Sequence, residues 1–443
     1  MKILRSLYLT QRFFWGLGII VALLLLGFGI TTVFRVGQVG LGVFGVLVLV
    51  DAWLLFSRKN GFEGHRIAPD KLSNGDDNFI KIVLFNRYTI PTNVQIIDEL
   101  PYQLQERKFR ASIAIPPRGK ETYEYFIRPI KRGAYQFGAV NAFVSSPIGL
   151  LQRRYRFSAD KEVPVYPSFM QMRKYELLAF SNHLTEFGIK KIRRLGHNQE
   201  FEQIKEYVAG DDYRTINWKA TARRGLLMVN NYQDERAQHV YAVIDKGRTM
   251  KMPFEEMTLL DYAINASLVI TNIALKKDDK AGLITFQHKV QSFLPASRRS
   301  RQLHLLLEAL YNQKTAYKES NYAALYTAVK RRLSQRSLLL LFSNFESISA
   351  MRRQLPYLRQ MAKWHLVVVI FFKNTELHQL IAQPATSLRD VYQKTIAEQF
   401  AEEKKQIVDE LKQYGIQALL TTPQQLSVDT INKYLELKAR GMI

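Results

Sequence analysis

Phe13 to Phe34 is a run of 22 residues without a charge. As a helix rising about 1.5 Å per residue, it is long enough to cross a hydrocarbon core roughly 30 Å thick. Arg35, Gly37 and Gln38 form a short polar break. A second apolar run then extends from Val39 to Phe56, interrupted by Asp51 near its end. A secretory signal would carry a shorter apolar core and a small-residue cleavage site. Neither is present, and a second apolar run follows at once. The pattern predicts a two-helix transmembrane hairpin over residues 1–60, with spans at about 13–34 and 39–56. Lys2, Arg5 and Arg12 precede the first span, Arg58 and Lys59 follow the second, and Arg35 lies between them. This bias predicts an inner (cytoplasmic) membrane protein with both termini and everything after residue 60 in the cytoplasm. Asp51 is expected one or two turns from the cytoplasmic interface, hydrated or near Arg58.

Across 443 residues the formal charge is +24, with 23% charged and 47% apolar residues and no Cys. These values exclude a disordered polyelectrolyte and a many-pass transporter. The absence of Cys excludes disulfides, thiolate metal sites and thiol catalysis. The positive charge calls for an anionic neighbour, either a membrane face or a nucleic acid. The basic runs Lys190-Lys-Ile-Arg-Arg194, Arg298-Arg-Ser-Arg301 and Lys330-Arg-Arg332 support a nucleic-acid-binding alternative. The chain shows no zinc finger, no ribonucleoprotein-type aromatic pattern and no basic zipper. A basic body beside anionic headgroups accounts for the charge, so the lipid bilayer is the expected partner and no nucleic acid is expected.

Residues 61–167 read as short strands. Asn78–Phe85, Val94–Ile97, Phe109–Ile115 and Glu121–Arg128 are rich in β-branched and aromatic residues, with turn signals at Pro116-Pro117-Arg-Gly119 and Lys131-Arg-Gly133. Six or seven such strands in about 100 residues predict an all-β immunoglobulin-like sandwich. Residues 240–443 alternate apolar strands (Val240–Ile244, Ala281–Phe286, Ser337–Phe342, Leu366–Phe372, Ile416–Leu420) with helical stretches. That rhythm predicts an α/β Rossmann-like domain with a parallel sheet covered on both faces. The long charged helix from about Leu388 to Tyr414 is expected to be a solvent-facing cover. Ligands in such folds bind beyond the carboxyl ends of the strands, which points to Asp245 and Ser343-Asn344.

Asp245-Lys-Gly-Arg-Thr-Met250 stands where a metal ion-dependent adhesion site would stand. Asp245 and Thr249 match that pattern. Gly247 replaces the usual middle Ser, Ser320 and Asn321 offer no Thr-Asp pair, and Asn344 stands where an Asp would close the oxygen shell. One carboxylate offsets little of the dehydration cost of Mg²⁺. No cofactor is therefore expected, and Mg²⁺ at this degenerate site is the one the pattern admits.

Between the two folds, residues 168–239 hold a dense weave of charge and aromatics: Glu200, Glu206, Tyr207, Gly210, Asp211, Asp212, Arg214, Trp218, Lys219, Ala222 and Arg223. Asp211 or Asp212 is expected to cap the following helix, on which Arg214, Trp218 and Ala222 share a face. The weave reads as a buried ionic knot joining two domains, as a partner-docking rim, or as an acid pair for catalysis. No His lies beside the acids, and neighbouring Arg would keep them ionised. The enzymatic alternative is a metal-dependent hydrolase using Asp245 or Asp211/Asp212.

The string Glu-Tyr-x-x-Gly-Asp-Asp-x-Arg-x-Ile-x-Trp-Lys-x-x-Ala-Arg, from Glu206 to Arg223, resembles the signature of the domain of unknown function 58 family. The resemblance extends through the hairpin, Lys131–Gly138, Ser146-Pro-Ile-Gly-Leu150 and a von Willebrand factor A-like domain. Asn217 stands where an Asp is often found before the Trp. The resemblance implies a non-catalytic membrane protein that partners a MoxR-type AAA ATPase in a chaperone-like or envelope-related role. The chain has no phosphate-binding Gly-Lys-Ser/Thr loop, so any ATP would be used by another chain.

Overall fold

In the computed structural model, which describes residues 6–106, 109–157, 161–180, 199–208, 211, 213–234, 237–315, 317–382, 384 and 387–442, the apolar N-terminal runs form two helices. These are α1 (Gln11–Leu26) and α2 (Thr31–Phe56). With the 3-10 turn Gly27–Gly29, the first is 19 residues long and the second 26, each long and apolar enough to cross a membrane. The turn falls at Gly27–Gly29 and not at the polar residues Arg35 to Gln38, which lie within α2. Close approach decides this. A Cβ on Gly27 would stand 2.5 Å from the Phe34 amide nitrogen, so only glycine lets the helices meet there.

The chain divides into two compact units between Tyr166 and Pro167. The first contains the hairpin and the strands β1 (Leu7–Leu9), β2 (Phe62–Ile67), β3 (Leu72–Ser73), β4 (Asn78–Asn86), β5 (Thr92–Asp98), β6 (Ala111–Ile115), β7 (Lys120–Ile127), β8 (Gly133–Phe137), β9 (Val140–Ser145), β10 (Leu151–Phe157) and β11 (Lys161–Tyr166). They form sheets in the orders β1-β10-β9-β5-β6, β2-β4-β7 and β3-β11-β8. Burial alternates along β4 and β5, as a pleated strand with one wet face requires. Ile80, Ile82 and Leu84 point into a shared core with Val94 and Ile96.

The hairpin does not stop at that core. Leu55 of α2 is fully buried within it, and β1 pairs antiparallel with β10. The Leu55 carbonyl in the last turn of α2, and that of Arg58 just beyond it, are satisfied from β10 and the loop between β4 and β5. Arg153 Nη1 donates to Leu55 O and Arg58 O, both at 2.7 Å, and Tyr88 Oη donates to Leu55 O at 2.6 Å. Asp51, expected to be hydrated or near Arg58, is instead completely buried. Its carboxylate accepts from Ser146 Oγ and, at 2.8 Å each, from the Leu150 and Leu151 amides. Arg58 donates to Arg87 O at 2.7 Å.

The second unit comprises α3 (Phe169–Phe180), β12 (Gln199–Glu206), α4 (Trp218–Arg224), β13 (Met228–Asp234), β14 (His239–Asp245), β15 (Pro253–Phe254), β16 (Met257–Thr258), α5 (Leu259–Lys276), β17 (Lys280–Phe286), β18 (Val290–Ser297), α6 (Gln302–Tyr311), α7 (Tyr322–Arg332), β19 (Leu338–Phe342), α8 (Ile348–Ala362), β20 (Leu366–Phe372), α9 (Thr375–Ala382), α10 (Leu388–Gln413), β21 (Gln417–Thr421) and α11 (Leu426–Ala439). Its main sheet has the order β18-β17-β14-β19-β20-β21 and is parallel except for the β17–β18 pair. Val240, Ala242 and Ile244 face one apolar cluster, and Tyr241 and Val243 face the other. This two-sided burial explains why the strands read as unbroken apolar runs.

Within residues 168–239, α3 packs on the α/β core. Met172 of α3 joins the core beside α5, and Glu176 accepts from Asn272 Nδ2 at 2.8 Å and pairs with Lys276 at 2.9 Å. Three helices appear where the sequence pattern singled out none: α3, α8, which carries Pro356 within it, and α9.

Candidate functional site

The stretch resembling the family signature folds as a small module: β12 and β13 pair antiparallel, with the 3-10 turn Tyr213–Thr215 and α4 between them. Asn217 caps α4, its Oδ1 accepting from Ala220 N at 3.0 Å while its Nδ2 donates to Asn230 Oδ1 at 2.8 Å. Gly225 ends the helix with φ +71°, a left-handed geometry that glycine adopts freely. The expected cap at Asp211 is not made. Asp211 Oδ1 accepts from Lys205 Nζ at 2.8 Å and Oδ2 from Val208 N at 3.0 Å. These bonds, the Lys205 one foremost, hold its carboxyl below the ordinary range. Because α4 begins at Trp218, Arg214 belongs to the preceding 3-10 turn and does not share a helix with Trp218 and Ala222.

The remaining signature residues divide as follows. Gly210 and Asp212 lie outside the described residues, as do the side chains of Glu200 and Arg214. Glu206 ends β12, and the Tyr207 amide donates to Leu227 O at 2.8 Å. Lys219, Ala222 and Arg223 lie on α4, which buries no side chain. Among the described side chains of the module, none of the charged ones is buried. Among its described side chains the ion pair is Lys205–Asp211, partly exposed at both ends. Met228 and Val229 are buried, but Val208, Tyr213 and Trp218 are 63%, 69% and 70% exposed, and Leu226 and Leu227 are exposed with them. Periodicity could not reveal this, because α4 is only seven residues long and turns no dominant apolar face inward.

The second site lies at the carboxyl ends of the parallel strands. Asp245 ends β14 and is 1% exposed. Its Oδ1 accepts from the Gly247 amide at 2.8 Å and from Ser320 Oγ, and its Oδ2 accepts from Ser343 Oγ at 2.7 Å and from Tyr322 Oη at 3.5 Å. Burial pushes the Asp245 carboxyl above its ordinary range, against the hydrogen bonds, which pull it down. Burial and the neighbouring Asp245 charge push the Tyr322 phenol up.

Thr249 and Asn344 line the same cleft, about 70 Å³ in volume, so the three residues singled out by sequence do converge. The donor set suits a divalent cation poorly. Asn344 Oδ1 accepts from Lys404 Nζ at 3.1 Å, placing an ammonium where a third oxygen ligand would be wanted. Glu319 and Glu346 also line the cleft, but Arg248 lies 3.5 Å from one and 3.8 Å from the other. Among the described residues no three His, Asp or Glu side chains form a metal-holding group.

Gly247 is fixed by packing. A Cβ there would stand 2.0 Å from Ser320 Oγ, so the Ser320 hydroxyl fills the space that a middle Ser would occupy. Gly247→Ser is expected to destabilise the chain by about 1–3 kcal/mol through overpacking. Adding Ser320→Ala should recover most of that loss, as a thermal-unfolding double-mutant cycle would register. Equal losses in the single and double variants would contradict the assignment.

A family model, protein of unknown function DUF58, matches residues 203–404, a range that includes most of the exposed module and all of the Asp245 cleft. The uncharacterized protein YeaD of Bacillus subtilis (strain 168) is 25% identical over 162 residues, which are 37% of this chain and 38% of that protein's length. Among solved structures, the CARDB domain of PF1109 from Pyrococcus furiosus is 14% identical and covers 24% of this chain and 94% of its own, with a TM-score of 0.17. The ASH/PapD-like domain of human CEP192 is likewise 14% identical and covers 24% of this chain and 87% of its own, with a TM-score of 0.19.

Proposed function

We propose that this chain is a membrane-anchored, non-catalytic interaction protein. In this reading α1 and α2 sit in the inner membrane with both soluble units in the cytoplasm, which the basic flanks of the helices support. The β-rich unit acts as an immunoglobulin-like spacer, and the α/β unit is a von Willebrand factor A-like receiving domain. Its partner is a MoxR-type AAA ATPase, following the resemblance of the Glu206–Arg223 string, and the pair works in a chaperone-like or envelope-related role.

One observation carries the docking part of this reading. The signature string presents Tyr213 and Trp218 to solvent beside Val208 and Leu226. Exposed aromatic and aliphatic side chains rimmed by charges such as Lys219 and Arg223 have the composition of a binding hot spot. The test is co-purification of full-length chain in nanodiscs with a MoxR-type ATPase held by a non-hydrolysable ATP analogue. Trp218→Ala and Tyr213→Ala are expected to weaken capture at least about tenfold. Their melting temperature should change little, because both side chains are mostly exposed. Unchanged capture by both variants, or no capture with nucleotide trapped, would overturn the reading.

A further inference from the structure

A cavity of about 1000 Å³ opens at the carboxyl ends of β19, β20 and β21, within the second unit. Its apolar wall comes from elements far apart in sequence: Phe254 of β15, Phe372 of β20, Leu377 of α9, Phe400 and Val408 of α10, and Leu420 of β21. Cavities of this size, mostly apolar with a few placed polar groups, at the strand ends of an open α/β sheet, are where such folds hold small molecules.

One polar group is unusual. Lys404 projects from α10 into this apolar setting, flanked one turn before and after by Phe400 and Val408. Its Nζ donates to Asn344 Oδ1 at 3.1 Å and to Phe345 O, both uncharged acceptors. Burial lowers its pKa to about 8, against the nearby Glu346 and Glu403 carboxylates, which raise it without making a hydrogen bond to its Nζ, so it is still mainly charged at neutral pH. The other charges at the cavity offset one another more nearly: Lys373 and Lys405 are matched in number by Glu346 and Asp409. Glu346 is drawn toward Arg248 at 3.8 Å, and Lys405 pairs with Glu402 at 3.1 Å. A part-buried cation whose hydrogen-bond partners are neutral carbonyls gains most from a monoanion brought in by an apolar body.

We propose that this cavity binds an apolar monocarboxylate of the acyl-chain type, with its carboxylate at Lys404 and its chain against Phe254, Leu377 and Phe400. The inference is separate from the partner-docking face and stands or falls without it.

The probe is a diazirine-bearing decanoate added to full-length chain in nanodiscs and photolysed, with adducts mapped by mass spectrometry. Adducts are expected at Phe254, Leu377 or Phe400. Decanoate should compete for them, whereas decylamine and decanol should not. Lys404→Met is expected to cut adduct yield there at least about tenfold while the melting temperature holds or rises, because a part-buried charge has been removed. Adducts confined to Gln11–Phe56, or competition by decylamine equal to that by decanoate, would overturn the proposal. The competition is read on the unaltered chain, so it decides the matter even if the variant fails to fold.

Discussion

Asp245→Ala should cost about 3–5 kcal/mol of folding stability, the range for breaking a buried polar network. The substitution removes both acceptors from a site 1% exposed and leaves the Gly247 amide and the hydroxyls of Ser320, Ser343 and Tyr322 facing a void. In a unit of this size that corresponds to a fall of roughly 10 °C in melting temperature. Asp245→Asn should behave differently. Its oxygen can keep the Gly247 and Ser320 bonds while its amide donates to Ser343 and Tyr322, whose hydroxyls rotate to accept. The expected cost is below about 1.5 kcal/mol.

The pH dependence follows from the direction of the Asp245 shift. The folded-state pKa lies above the unfolded one, so the folded chain holds this proton more tightly. The contribution is complete below the unfolded value, near pH 4, and is lost as pH rises through the folded pKa. The gap between wild type and the non-titrating Asp245→Asn should therefore narrow as pH rises. Pulse proteolysis across that range would show it, and a gap that widens would contradict the burial argument.

The second large effect is expected at Asp51. Asp51→Leu strands the Leu150 and Leu151 amides and the Ser146 hydroxyl in a fully buried position. Each orphaned donor costs about 1–3 kcal/mol, with partial relief from local relaxation, so a net loss of about 3–5 kcal/mol is expected. The readout is the rate of limited proteolysis in the Ser146–Leu150 loop of chain held in nanodiscs. Cleavage there should quicken at least tenfold, while the α1–α2 turn is unaffected. Wild-type resistance would mean that Asp51 is hydrated after all.

Much of the fold was legible because burial on both faces of a parallel sheet leaves unbroken apolar strands, as at Leu338–Phe342. The two apolar helices were legible for the same reason of composition, but their turn was not. Polar residues 35–38 looked like the break, whereas contact between Gly27 and Phe34, invisible in composition, places it earlier. In α8, Pro356 concealed the helix, although the amphipathic spacing of Met351, Leu355 and Leu358 was there to find. At the strand ends, topology directed attention to Asp245, Ser343 and Asn344. Tyr322 and Lys404 were missed because their contacts span 77 and 60 residues. A lysine between Phe400 and Val408 at helical spacing was the available sign that α10 is more than a solvent-facing cover. Exposure of Trp218 could not be read at all, since its residue type favours burial and only the assembled module shows otherwise.

The closure of α2 by Arg153 and Tyr88 has a mechanical consequence. With β1 woven into the same sheet, the helical stem and the strands it enters cannot swivel independently about a hinge at Ser57. A change in helix tilt would be delivered undamped, as a rotation of the whole strand-bearing body, and a pull on that body would reach the stem as torque.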